Sequence, residues 1–225
     1  MCPSAEPLVV EIGPGRGALT EKLLARAGRV VAVEIDSELV AHLRDRFAGE
    51  PRLEILNQDV LETDLSRWGT APLAGNLPYY ITSPILERAA RSPASRAVFL
   101  VQKEVAERIA AQPGSRDYGF LTVQLALWRK TRRLFDVKPG AFRPPPKVES
   151  SVVVLDARSE GTPPDAEAFL EFAAQAFRHK RKTIRNNLAP IYGKSIIDAW
   201  PEADRRAEQI SLEGFQAMWQ RVRAR

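Results

Sequence analysis

Cysteine, histidine and long apolar runs are all scarce in this chain. Of its 225 residues one is cysteine, Cys2, and two are histidine, His42 and His179. A single thiol excludes an internal disulfide framework and fits a reducing compartment, so a cytoplasmic location is expected. Two histidines far apart in sequence leave no zinc-ligand pattern, and no metal is expected. No apolar run approaches the ~20 residues that a membrane-spanning helix needs, so no membrane partner is expected. No charged-then-apolar leader stands at Met1. Internal repeats and long low-complexity tracts are also missing. What is present, 44% hydrophobic and 27% charged residues, is the balance of a globular protein, and the length suits one large domain or one domain plus a small appendage.

The formal net charge of +5 is unevenly spread. Arg129, Lys130, Arg132, Arg133, Lys138, Arg143 and Lys147 crowd one stretch with Asp136 as its sole acid. Arg178, Lys180, Arg181, Lys182 and Arg185 crowd another with none. One such cluster reads as a solvated face, but two beside a base pocket suit a phosphate backbone.

Short β-rich runs alternate with helical periodicity over the first two thirds of the chain. Strands are expected at 8–12, 29–34, 53–57, 73–75, 96–101, 134–137 and 148–155. Helices are expected at 18–26, from an N-cap at Ser37 to 47, from a cap at Ser83 with Pro84 in the first turn, at 103–111 and at 120–128. This alternation predicts an α/β fold with a mostly parallel, doubly wound sheet. Ligands then bind beyond the strand carboxyl ends, at the switch in strand order. A polar Pro/Gly-bearing segment, SEGTPPD at 159–165, precedes a purely helical pattern at 166–177, 182–188 and 212–222. The expected domains are therefore residues 1–158 and 159–225, the second small and all-helical.

The loop Glu11-Ile12-Gly13-Pro14-Gly15-Arg16-Gly17 joins the first strand to the first helix. Its glycines permit a tight turn and close approach of a ligand to the backbone, and the helix start offers free N–H groups. Glu34 ends the second strand, where a carboxylate can accept from both ribose hydroxyls. Asp36 reads as a helix-start residue. Asp59 either accepts from an adenine amino group, with Val60 against the ring, or forms an Asx turn. These features specify an adenosine-containing cofactor without separating NAD from S-adenosylmethionine. The stretch Asn76-Leu77-Pro78-Tyr79 separates them. An amide oxygen can accept from an exocyclic NH2, a tyrosine face can stack on a base, and proline removes a donor, leaving nearby carbonyls to point into a site. Methyl transfer to an amine has a use for that set and hydride transfer has none.

With these residues assembled, the chain resembles the ribosomal RNA adenine N6,N6-dimethyltransferases, the KsgA/Dim1 family. The resemblance rests on EIGPGRGALT (11–20), VEID (33–36), QDVL (58–61), NLPYYITSPIL (76–86), VQKEVAERI (101–109), FRPPPKVESSVV (142–153) and FRHKRKTIRNNL (177–188). The antibiotic-resistance 23S enzymes share the catalytic part, but NLPYY and RKTIRNNL look more like the small-subunit enzymes. The resemblance implies a class I, Rossmann-like methyltransferase domain with a helical RNA-binding C-terminal domain. It implies methyl transfer from S-adenosylmethionine to N6 of two adjacent adenosines near the 3′ end of small-subunit rRNA. The protein would act as a monomer on the pre-30S particle during ribosome biogenesis. The alternatives are a catalytically weak assembly factor, a 23S rRNA adenine N6-methyltransferase of the antibiotic-resistance type, and a DNA or other-RNA N6-adenine methyltransferase.

The resemblance implies cofactor contacts from Glu11, Gly13, Gly15, Gly17, Glu34, Ile35, Asp59, Val60 and Asn76. Asn76 and a backbone carbonyl near Leu77 or Pro78 would hold the amine, with Tyr79 and Phe142 on the two faces of the base. RNA contacts are expected from Arg129, Lys130, Arg143, Lys147, Lys180, Arg181, Lys182 and Arg185. Tyr80, Trp128, Trp200 and Trp219 are expected to pack. Family members usually carry a covering segment before the first strand, which here begins within ten residues of Met1. Weaker cofactor binding than in a longer relative is the expected consequence.

Overall fold

The computed structural model describes residues 6–143, 145–158 and 165–224. Cys2, Pro144 of the FRPPPKV segment and residues 159–164 of the expected linker lie outside the described residues. The chain divides into two units, Met1–Ala106 with Arg129–Arg158, and Glu107–Trp128 with Ser159–Arg225. The second unit thus takes in a helix, Phe120–Ala126, that the sequence reading grouped with the first.

The first unit is a seven-stranded sheet. Its strands are β1 (Val9–Ile12), β2 (Val30–Glu34), β3 (Leu53–Asn57), β4 (Leu73–Asn76), β5 (Arg96–Gln102), β6 (Arg129–Val137) and β7 (Ser150–Ala157), in the spatial order β3-β2-β1-β4-β5-β7-β6. β1 to β5 are parallel, and β7 runs antiparallel to both β5 and β6. Burial on both faces explains the unbroken apolar runs of the central strands, such as the fully buried Val9–Ile12. Strand order reverses between β1 and β4, where Ile12 pairs with Gly75. A Cβ on Gly75 would lie 2.4 Å from the Ile12 carbonyl oxygen, so glycine is what lets β4 dock at this switch point.

Two helix starts differ from expectation. Asp36, not Ser37, caps the helix Ser37–Arg46, its carboxylate accepting from the Glu38 and Leu39 N–H groups. The helix after β4 spans Thr82–Arg91, without a serine cap. It grows out of a 3-10 turn, Tyr79–Ile81, and the Thr82 hydroxyl donates back to the Pro78 carbonyl at 2.9 Å.

Within the second unit, Ala166–Phe177, Ile184–Tyr192, Lys194–Asp198 and Leu212–Arg223 are helical. Phe172 is fully buried and meets Tyr192, Trp200 and Trp219 with ring centroids 5.8, 6.5 and 5.5 Å away. Trp128 and Trp200 are buried as expected, and the Trp219 indole donates to Asp165. Among the described residues no helix is long and apolar enough to cross a membrane, and no cluster of metal-binding side chains occurs.

Candidate active site

A cleft of about 1450 Å³ opens beyond the carboxyl ends of the parallel strands and straddles the switch point. On the β1–β3 side it is lined by Glu11, Gly13, Gly15, Glu34, Ile35, Asp59 and Val60. On the β4–β7 side it is lined by Asn76, Leu77, Pro78, Tyr79, Tyr80, Phe135 and Phe142, among others. The two sides meet closely: a Cβ on Gly13 would lie 3.7 Å from the Asn76 carbonyl oxygen.

Gly13, Gly15 and Gly17 all have positive φ, the conformation in which a side chain is strained. Space beside Gly15 is open. Gly17 plays another part. It is not among the residues lining the cleft, and a Cβ there would meet the Phe47 ring at 2.6 Å and Leu43 at 2.9 Å, so packing against the Ser37–Arg46 helix and its end already requires a glycine at this position.

Glu34 is buried and already engaged. One carboxylate oxygen accepts from the Gly15 N–H and the other from the Asp36 N–H, both at 3.1 Å. Asn57, which the sequence reading did not single out, donates its side-chain amide to the Glu34 and Ile35 carbonyls at 3.1 and 2.9 Å. It thereby fixes the turn that leaves Ile35 59% exposed in the cleft. Asp59 forms the Asx turn, one oxygen accepting from the Leu61 N–H at 2.7 Å, which leaves the other open toward a ligand.

Glu11 is 1% exposed, and neither carboxylate oxygen has a hydrogen-bond partner among the described residues. Burial pushes its carboxyl up to about 7. The neighbouring Thr20 hydroxyl pulls the other way without reaching hydrogen-bond geometry, and the Glu34 charge adds to the rise. A buried acceptor left without a donor fits a ligand that brings one, such as an ammonium group. Open space at Gly15, carboxylates at Glu34 and Asp59 and an apolar platform at Ile35 fit the nucleoside of the same ligand. These residues suit an adenosyl amino acid.

Across the switch point, Asn76 is exposed at the end of β4, and its amide makes no hydrogen bond among the described residues. The Leu77 side chain is core, 1% exposed, and its N–H donates to Leu100. The Leu77 carbonyl accepts nothing among the described residues. The Pro78 carbonyl is occupied, accepting from the Ile81 N–H and the Thr82 hydroxyl. Of the two carbonyls named from sequence, Leu77 is the free one. The Tyr79 hydroxyl shares a 2.7 Å hydrogen bond with Ser150. Phe142 is half-buried and lines the cleft. Tyr80 was expected to pack, yet it is 84% exposed in the cleft. Among the described residues no histidine or lysine lines the site.

The basic residues separate on inspection. Arg129 is not an RNA contact: it is 3% exposed, and its guanidinium donates to the carbonyls of Ala89, Ala90, Ser92 and Ala94. It caps the end of the Thr82–Arg91 helix. Arg185 is ion-paired with Asp198 and Asp204. Lys180 makes a 3.4 Å contact with the Arg116 carbonyl. Lys130, Arg143, Lys147, Arg181 and Lys182 are exposed, with no ion pair among the described residues.

The family model described as "Ribosomal RNA adenine dimethylase" matches residues 3–218. The chain is 45% identical to the ribosomal RNA small subunit methyltransferase A of Acidobacterium capsulatum, over 96% of this chain and 82% of that protein. It is 41% identical to the same-named protein of Thermotoga petrophila, again over 96% and 82%. Among solved structures, a dimethyladenosine transferase from Plasmodium falciparum superposes with a TM-score of 0.84 at 24% identity, covering 98% of this chain and 91% of that one. The 23S rRNA methyltransferase ErmE superposes with a TM-score of 0.71 at 26% identity, covering 99% and 93%.

Proposed function

The chain belongs to the ribosomal RNA adenine dimethylase family, and from that premise we propose how its cleft works. It is a Rossmann-like, S-adenosylmethionine-dependent rRNA methyltransferase. It dimethylates N6 of two adjacent adenosines near the 3′ end of small-subunit rRNA, and it does so in the cytoplasm on the assembling 30S particle.

When bound, S-adenosylmethionine supplies an electrophilic methyl group on a sulfonium centre. Glu11 would meet its ammonium, Glu34 would accept from the ribose hydroxyls with lone pairs not used by the Gly15 and Asp36 N–H groups, and Asp59 with Ile35 and Val60 would hold the adenine. The target adenine leaves its stack and enters the β4–β7 side of the cleft. Its amine is a poor nucleophile because the nitrogen lone pair is delocalised into the ring. In the first transfer the Asn76 side-chain oxygen and the Leu77 carbonyl each accept one N6 hydrogen; in the second, one hydrogen remains for one of them. This favours a pyramidal nitrogen with its lone pair aimed across the switch point. Tyr79 stacks on one face of the base and Phe142 closes the other. The proton becomes acidic once the nitrogen is alkylated, so a cleft without histidine or lysine is suited to the reaction.

The observation that carries this reading is a pair of acceptors unengaged among the described residues, the Asn76 side-chain oxygen and the Leu77 carbonyl, at the end of β4, where the Asn76 backbone carbonyl approaches Gly13. The test is to incubate the protein with labelled S-adenosylmethionine and small subunits lacking the modification, then map the label. Transfer to two adjacent adenosines is expected. Subunit binding without transfer would instead make the protein an assembly factor, and label in 23S rRNA would place it with the resistance enzymes.

A further inference from the structure

Tyr79 and Tyr80 are consecutive aromatics in one 3-10 turn, yet they are held differently. Tyr80 is 84% exposed and its hydroxyl has no partner among the described residues. The Tyr79 hydroxyl reaches 71 positions along the chain to the Ser150 hydroxyl at 2.7 Å. Ser150 is 0% exposed, and this is its sole side-chain hydrogen bond among the described residues. A tyrosine's χ2 well is broad, so packing at the ring base leaves the ring plane loosely set. A hydrogen bond at the far end of the ring restrains it.

Ser150 is itself firmly placed. It sits at the start of β7, between two antiparallel neighbours, paired with Gln102 of β5 and Val137 of β6. Its flanking residues are also fixed. The Lys103 N–H donates to the Glu149 carbonyl at 3.0 Å, and the Lys103 ammonium to the Glu149 carboxylate at 2.6 Å. On the other side the Ser151 hydroxyl donates to Asp136 at 2.6 Å. Asp136 also faces the Lys103 ammonium at 3.6 Å.

We propose that Ser150 is a positioning residue for adenine methylation, acting through the Tyr79 hydroxyl to hold the stacking ring at the angle that presents N6 to Asn76 and Leu77. This rests on the methyltransferase reading and adds to it a residue that touches neither cofactor nor base. It transmits the rigidity of the antiparallel end of the sheet to a turn on its parallel side.

The test compares Ser150→Ala, Tyr79→Phe and the double variant with the parent chain. The measurement is single-turnover methylation of unmethylated small subunits at saturating labelled S-adenosylmethionine, with cofactor affinity and thermal stability measured alongside. Each single variant is expected to slow transfer roughly tenfold, with cofactor affinity unchanged to within about twofold. The double variant should be no slower than either single one, because all three lose the same bond. Losses that multiply in the double variant would overturn the proposal. So would unchanged rates in the single variants, or rates that fall only in step with thermal stability. Tyr79→Phe leaves the buried serine in place and decides the matter if Ser150→Ala does not fold. A parent chain that transfers no methyl group overturns the methyltransferase reading, and this proposal with it. An active parent with unaffected variants overturns the proposal alone.

Discussion

On the β1–β3 side of the cleft the polar groups are largely set by the parallel strand ends themselves. Glu34 accepts from the Gly15 and Asp36 N–H groups, and Asn57 on the adjoining β3 holds the two carbonyls that follow β2. On the β4–β7 side the proposed amine acceptors, Asn76 and the Leu77 carbonyl, are open among the described residues, and the Tyr79 ring is braced from an antiparallel strand far along the chain. Apart from Glu11, whose carboxylate has no partner among the described residues, the first side is a pre-engaged cradle that a ligand joins. The second is a set of unsatisfied acceptors waiting for donors. If that difference is functional, damage to one side should register in cofactor affinity and damage to the other in rate.

The largest effect tests the open side. Asn76→Ala should slow methyl transfer by about 10²–10³-fold, because it deletes an acceptor that acts on the reacting nitrogen. Cofactor affinity, measured by calorimetry, should stay within a few-fold of the parent. An equal loss in both quantities would erase the distinction between the two sides.

Glu34→Gln is the converse. The amide keeps one acceptor oxygen but loses the charge that gathers two backbone N–H groups and, in the proposed function, the ribose. Cofactor affinity should fall by about 10- to 100-fold, the range of one charge-assisted hydrogen bond, while the rate at saturating cofactor changes little. A rate defect that persists at saturation would mean that the cradle also aims the methyl group.

Glu11 sharpens the comparison through pH. Its carboxyl titrates near 7 when buried, against 4.5 for an ordinary glutamic acid. The unfolded chain therefore releases this proton first, and the group costs the folded state stability as pH rises above 4.5, up to a plateau past 7. The plateau is on the order of 3 kcal/mol. Glu11→Gln should remove that cost, so its thermal stability should gain on the parent at pH 8 and match it more nearly at pH 5. A cationic ammonium favours the ionised carboxylate, so parent cofactor affinity should rise between pH 6 and 8 by up to about tenfold, and the variant should lose that slope. A parent affinity flat with pH would detach Glu11 from the ammonium.

How much of this was legible in sequence follows from the same contrast. The glycine loop, Glu34 and Asp59 each lie within a few residues of a strand end, and a βα turn brings such residues to one edge whatever the rest of the chain does. The NLPYY stretch was legible for the same reason, at the end of β4. Ser150 was not, since its bond to Tyr79 exists only because β7 runs antiparallel beside β5, and no local pattern encodes that. Gly17 and Arg129 were misread in the other direction. Both have the residue type of a ligand contact, but packing claims one and a helix end claims the other. The exposure of Tyr80 likewise depends on tertiary context.

The smallest expected effect carries the engaged-versus-open distinction to the basic residues of the helical unit. Arg185 and Arg181 are four positions apart in one cationic run, and charge counting treats them alike. Arg185 is held by Asp198 and Asp204, and these partners raise its pKa by hydrogen bonding and charge. Arg181 has no ion pair among the described residues and is free to neutralise a phosphate. Arg181→Ala should weaken binding to small subunits by roughly three- to tenfold and reduce the salt dependence of that binding by about one phosphate contact. Arg185→Ala should leave the salt dependence as it is and lower the melting temperature of the protein instead. If the two variants lost the same salt dependence, the ion pairs at Arg185 would have to open on binding, and exposure alone would be no guide to which cations meet RNA.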